Sequence, residues 1–179
     1  YDLGNGASID NQTGGHAVIN GGTYYATAAV NNRAGATMEI NGGDFEGVSN
    51  ANPMYGSGVY SYAVQNSGEM TINDGYVHGS MNGGVACNSG TITINGGSFT
   101  VEDPEGSPTS YYVLVTNPSA GAKIIVNGGR FEQNNGTDRL IGSYTGMPSW
   151  DAAEDLEANG YTVNGGEFIL NGETVTVGG

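Results

Sequence analysis

One eight-residue pattern recurs six times along this chain, and it constrains the fold more than any other feature. It reads Ala17-Val-Ile-Asn-Gly-Gly-Thr-Tyr24, Met38-Glu-Ile-Asn-Gly-Gly-Asp-Phe45, Met70-Thr-Ile-Asn-Asp-Gly-Tyr-Val77, Ile92-Thr-Ile-Asn-Gly-Gly-Ser-Phe99, Ile124-Ile-Val-Asn-Gly-Gly-Arg-Phe131 and Tyr161-Thr-Val-Asn-Gly-Gly-Glu-Phe168. The asparagines fall at Asn20, Asn41, Asn73, Asn95, Asn127 and Asn164, with spacings of 21, 32, 22, 32 and 37 residues. The short spacings define a unit of 21–22 residues. The longer ones are the same unit carrying roughly 10 to 15 inserted residues. A fixed period of this length marks a solenoid, which grows unit by unit rather than around one globular core.

Each unit reads as three short strands. Met38-Glu39-Ile40 and Ile92-Thr93-Ile94 alternate apolar and polar residues, the period of a strand. A weaker upstream signal, an apolar residue two before an asparagine, occurs at Ile9 and Asn11, Val30 and Asn32, Val64 and Asn66, Ala86 and Asn88, and Val115 and Asn117. A glycine follows at Gly14, Gly35, Gly68, Gly90 and Gly121. Stacking units in register puts like on like. One interior column is then Ile19, Ile40, Ile72, Ile94, Val126 and Val163, and a second is Tyr24, Phe45, Val77, Phe99, Phe131 and Phe168. The repeated asparagine is read as a structural turn residue: its amide has both a donor and acceptors, so it can satisfy a turn and the coil beside it. Parity places Tyr60, Tyr62 and Tyr111 inward with Val64 and Val115. It places Ala29, Ala63, Val85 and Leu114 outward as an apolar stripe suited to an insert or another chain.

Composition narrows the partners. Eighteen acids face four bases (Arg33, Lys123, Arg130 and Arg139), for a formal charge of −14. That surface repels phosphate backbones and anionic lipid, so neither nucleic acid nor membrane insertion is expected. No apolar run approaches the length of a membrane span. The single cysteine, Cys87, excludes an internal disulfide. No His/Cys cluster and no Asp-x-Asp spacing marks a metal site, and no cofactor is expected.

The stacked asparagine and aromatic columns resemble the right-handed parallel β-helix of the pectin-lyase-like superfamily. The Ile-Asn-Gly-Gly-x-Phe unit is similar to repeats in secreted or cell-wall-attached proteins of Gram-positive bacteria. The resemblance spans residues 7 to about 170 and implies an all-β fold: one domain over 1–179, about six coils of 21–22 residues, three strands per coil. It leaves function open, since the fold carries lyases, hydrolases, phage tailspikes and adhesins alike.

Three inserts break the repeat, near 46–60, 101–110 and 133–160. Each follows the aromatic position of its coil (Phe45, Phe99, Phe131), so all are expected at one edge, where solenoids build binding faces. The third insert holds a short helix near 150–158, with Ser149 as N-cap and Asn159-Gly160 as stop. Residues 168–179 read as a hairpin, turning at Asn171-Gly172, that caps the last coil.

Catalytic signals are weak. His16 and His78 stand alone in the sequence. The acid pairs Asp44 with Glu46, Asp103 with Glu105, and Asp151 with Glu154 are of a kind that stacked coils produce by chance, and no catalytic residue is assigned. The candidate ligand-binding residues are Tyr55, Tyr112, Tyr144, Trp150, Asp103 and Asp151, since flat rings stack on sugars and carboxylates read hydroxyls. The expectation is a non-catalytic extracellular module, secreted or on a cell surface, for adhesion, glycan binding or service as a stalk. Its partner would be a glycan or a host or cell-surface protein, with a homo-oligomer or neighbouring domains as further contacts. The alternative is a polysaccharide-active lyase or glycosidase, or a receptor-binding tailspike on a virion surface.

Overall fold

The computed structural model describes residues 6–47, 62–79, 83–101, 112–134, 140–146 and 148–178. Coil one holds β1 (Ala7–Asn11), β2 (His16–Ile19) and β3 (Thr23–Ala26). Coil two holds β4 (Ala28–Asn32), β5 (Thr37–Ile40) and β6 (Asp44–Gly47); coil three holds β7 (Tyr62–Asn66), β8 (Glu69–Ile72) and β9 (Tyr76–Gly79). Coil four holds β10 (Gly83–Cys87), β11 (Thr91–Ile94) and β12 (Ser98–Val101); coil five holds β13 (Tyr112–Thr116), β14 (Lys123–Val126) and β15 (Arg130–Gln133). Coil six holds β16 (Ile141–Ser143), the helix α1 (Ala153–Ala158), β17 (Tyr161–Val163) and β18 (Glu167–Leu170); β19 (Glu173–Val175) follows. The first, second and third strands of successive coils form three parallel sheets of six, six and seven strands, with β19 antiparallel at the edge of the third. This is a parallel β-helix with three strands per coil.

The columns expected from the repeat are the core. Ile19, Ile40, Ile72, Ile94, Val126 and Val163 stack in register along the second sheet. Along the third, Tyr24 stacks on Phe45 with ring centres 5.2 Å apart. Phe131 lies between Phe99 and Phe168 at 4.8 Å from each. Val77 interrupts the rings between Phe45 and Phe99.

Two asparagine ladders tie coil to coil. In the corner ladder each amide donates to the asparagine of the preceding coil: Asn41 to Asn20 at 3.1 Å, Asn73 to Asn41 at 2.7 Å, Asn95 to Asn73 at 2.8 Å, and Asn127 to Asn95 and Asn164 to Asn127 at 2.9 Å. The interior ladder runs the other way, Asn11 donating to Asn32 and Asn32 to Asn66, each at 2.8 Å. Register then brings Cys87, Thr116 and Ser143 onto the same column. The upstream motif is therefore offset by one in coils four and five, where Asn88 and Asn117 lie past the strand ends. Burial pushes the Cys87 thiol up from its ordinary pKa, as an inert core group.

The second glycine of each corner has positive φ, for example 98° at Gly97. A Cβ there would lie 2.8 Å from the carbonyl oxygen of Gly75 on the coil beside it. Gly97→Ala is expected to cost about 1–3 kcal/mol from backbone strain alone. The check is the urea midpoint; an unchanged midpoint would mean that the corner tolerates a side chain.

Three expectations need correction. Ala29, Ala63, Val85 and Leu114 are not an outward stripe; all are fully buried in the main core cluster. Tyr62 is not inward, for it packs on the outer face of the first sheet, and neither is Val115. It and Ala86 share an outer-face column with Gln65 and form a separate cluster with Tyr62 and Tyr112. The cause is local: two consecutive residues, such as Val113 and Leu114, both join the core where the chain rounds the corner into the first sheet. Strict alternation, counted from either side of that corner, comes out one residue wrong. Tyr60 and Tyr111 lie outside the described residues. Finally, the third insert is interrupted by β16, which completes the first sheet.

The C-terminal end is covered. β18 and β19 form the hairpin, with Asn171 and Gly172 at φ 53° and 83° in its turn. Helix α1 spans Ala153–Ala158, starts after Ala152 without a side-chain cap, and buries Leu156. Ser149 serves differently, its N–H donating to the Asp155 carboxylate at 2.6 Å. No helix among the described residues is long and apolar enough to cross a membrane.

Candidate functional site

The path of the chain places the inserts. The third-sheet strands β6, β9, β12 and β15 end, and the first-sheet strands β7, β10 and β13 begin, at one corner, between the third and first sheets. The inserts expected near 46–60 and 101–110, and the start of the one near 133–160, leave the described chain there; residues 48–61, 102–111 and 135–139 lie outside the described residues. Two outer sheet faces border it.

On the first-sheet side lies a tyrosine face. Tyr62 is nearly buried and packs with Ala86, Val115 and the half-buried Tyr112. The Tyr112 ring lies over Gly142, where a Cβ would come within 2.5 Å of it. Glycine there is what lets an aromatic ring lie flat on the strand. Tyr144 follows β16, and its N–H donates to the Thr116 carbonyl at 2.9 Å. Its hydroxyl donates to Asn88 Oδ1, in coil four, at 2.7 Å. Burial holds its hydroxyl above the ordinary tyrosine pKa, opposed by a hydrogen bond with Tyr62. Yet the residue remains 49% exposed. Tyr144 is thus held at its backbone and at its hydroxyl, with about half of its surface open to solvent.

On the third-sheet side, β6 and β9 alternate, so Asp44, Glu46, Tyr76 and His78 face outward while Phe45 and Val77 fill the core. His78 is isolated only in sequence. It is in register with Glu46 on one side and Thr100 on the other, and its ring meets Tyr76 edge-on at 5.9 Å. His16, on the second sheet, shares a 2.8 Å hydrogen bond with Thr37.

The sequence candidates separate. Tyr112 and Tyr144 come together on the first-sheet face. Trp150 and Asp151 belong to the C-terminal cap: Trp150 is half-buried against the core and its carbonyl accepts the Gly178 N–H at 2.9 Å, while Asp151 is exposed. A shallow groove of about 250 Å³ in that cap is lined by Leu156, Tyr161, Val163 and Gly178 rather than by those two. Tyr55 and Asp103 lie outside the described residues, as does Glu105. Five of the six corner asparagines donate to the one before them, and Asn73 also donates to Glu39 at 3.3 Å. Sequence reasoning missed Tyr25, 44% exposed, and Tyr76, 39% exposed. Their alternation with core residues was the available signal. Among the described residues, no group of three or more His, Cys, Asp or Glu is placed to hold a metal ion.

Comparison with protein-family models, with curated proteins and with solved structures found no match to this chain. The class defined by its own fold is a parallel β-helical repeat protein with two aromatic faces beside the corner that carries its inserts.

Proposed function

We propose that this protein is a non-catalytic, extracellular β-helical module that binds glycan through the tyrosine face of its first sheet. Tyr144 carries this reading. An exposed ring held by a backbone bond at one end and a 2.7 Å hydroxyl bond at the other loses little freedom when a sugar stacks on it, so little of the interaction is offset by ordering. The half-buried Tyr112 extends the platform, and Asn88 and Gln65 supply amides beside it. The strong negative charge favours neutral or cationic glycans over acidic ones. The resemblance of the repeat to those of bacterial surface and secreted proteins supports a place outside the cell.

A glycan array with the full chain tests the reading. Neutral oligosaccharides should be retained, and Tyr144→Ala should weaken them about tenfold or more with the variant still folded at the assay temperature. No retention across the array would leave a stalk. Shortened products recovered from a bound glycan would make the protein an enzyme.

A further inference from the structure

The outer face of the third sheet across coils one to four presents a second aromatic surface, distinct from Tyr144. Tyr25, Glu46, His78 and Thr100 stack in one register column, and Asp44 and Tyr76 are neighbours in the next. Tyr76 is braced in place: its hydroxyl is 3.1 Å from Thr100 Oγ1 and 3.4 Å from His78 Nδ1. With strands about 4.8 Å apart and residues about 3.3 Å apart along them, the backbones of Tyr25 and Tyr76 stand about 12 Å apart, the span of a short oligosaccharide, with Asp44 and Glu46 on the strand between them.

The charge on this face is one-sided. Its described strands in coils one to four hold no Lys or Arg. The nearest arginine on the sheet, Arg130 in coil five, is engaged by Glu167 at 2.8 Å and Glu132 at 3.0 Å. The form of the face also selects. From coil two onward its strands are hydrogen-bonded on both sides, so an extended peptide could join only at β3, the edge strand that carries Tyr25, and would not cover Tyr76. Flat rings on an open, rigid surface suit sugar rings instead.

We propose that this face binds a glycan bearing free amino groups, with sugar rings stacked on Tyr25 and Tyr76 and an ammonium group placed between Asp44 and Glu46. Charge complementarity selects the amine, and the paired tyrosines select the sugar. The site uses none of the residues of the first-sheet face, so either assignment can fail alone.

The test is calorimetric titration of the full chain with a glucosamine tetramer, its fully N-acetylated counterpart and tetralysine. The expected result is binding of the amine tetramer about tenfold tighter than the acetylated one, weakening as salt rises. The double variant Asp44→Asn, Glu46→Gln should abolish that preference, Tyr76→Ala should weaken the amine tetramer, and Tyr144→Ala should leave the preference in place. The proposal is overturned if the wild-type chain does not bind the amine tetramer, if it shows no preference over the acetylated form, or if tetralysine binds equally well. Loss of the same binding in Tyr144→Ala would also overturn it, by moving the site to the first sheet. The wild-type comparison needs no variant to fold.

Discussion

Asn66→Asp is expected to destabilise the protein by about 3–5 kcal/mol at neutral pH, although it changes one amide nitrogen to oxygen. Asn66 is fully buried at the inner end of the interior asparagine ladder. Its Oδ1 accepts from Asn32 at 2.8 Å and from the Gly68 N–H at 3.2 Å, bonds a carboxylate would keep. Its Nδ2 donates to the carbonyls of Gly68 at 2.8 Å and Thr91 at 3.2 Å. In the aspartate those carbonyls would face a negative oxygen, and burial would raise the carboxyl's folded pKa above its unfolded value. The sign of the pH dependence follows. Below the unfolded carboxylate range both states are protonated, the neutral acid can donate to one carbonyl, and most of the loss is recovered. As pH rises through that range the unfolded chain ionises first, and the penalty grows. Denaturant titrations of both chains at pH 3 and pH 7 check this. An equal difference at the two values would mean that the ladder does not depend on the amide's donors.

Phe131→Ala is expected to cost about 3–5 kcal/mol, the range for emptying an aromatic site in a packed core. Phe131 is fully buried and stacked on both sides, on Phe99 and on Phe168. Its loss removes two ring contacts and opens a hole between coils four and six. Tyr24→Ala should cost clearly less. That ring has one stacked neighbour, Phe45, is only partly buried, and belongs to the first coil. Thermal or denaturant unfolding of the two variants should rank them in that order. Equal losses would show that the column does not act through stacking between neighbouring coils.

Both predictions rest on positions that could be named before any coordinates. The spacing of Asn20, Asn41, Asn73, Asn95, Asn127 and Asn164 counted the coils, because a solenoid repeats its contacts each time it repeats its chain. The aromatic column followed from the same register. What stayed hidden depended on breaks in that regularity. β16 is three residues long, Ile141-Gly142-Ser143, with no asparagine to mark it. Val115 and Leu114 exchanged faces because the corner sends two successive residues inward. Glu46 and His78 are 32 residues apart in sequence yet in register in space, and an insert of uncertain length between them concealed the pairing. Tyr112 and Tyr144 were recognisable as candidates from their place beside the inserts. That Gly142 makes room for Tyr112, and that Asn88 anchors Tyr144 from two coils away, are tertiary facts with no local signature.

In the function proposed, recognition sits on the outer faces of the first and third sheets, while the repeat itself serves structure. The most direct measurement is a matched pair of titrations with the tightest neutral glycan from the array. One uses Tyr144→Ala. The other uses Thr93→Ala, on the outer face of the second sheet, in a column with Glu39, Thr71 and Ile125. Affinity should fall about tenfold or more in the first and stay unchanged in the second, with both proteins folded. Equal losses in the two, or full affinity in Tyr144→Ala, would contradict it.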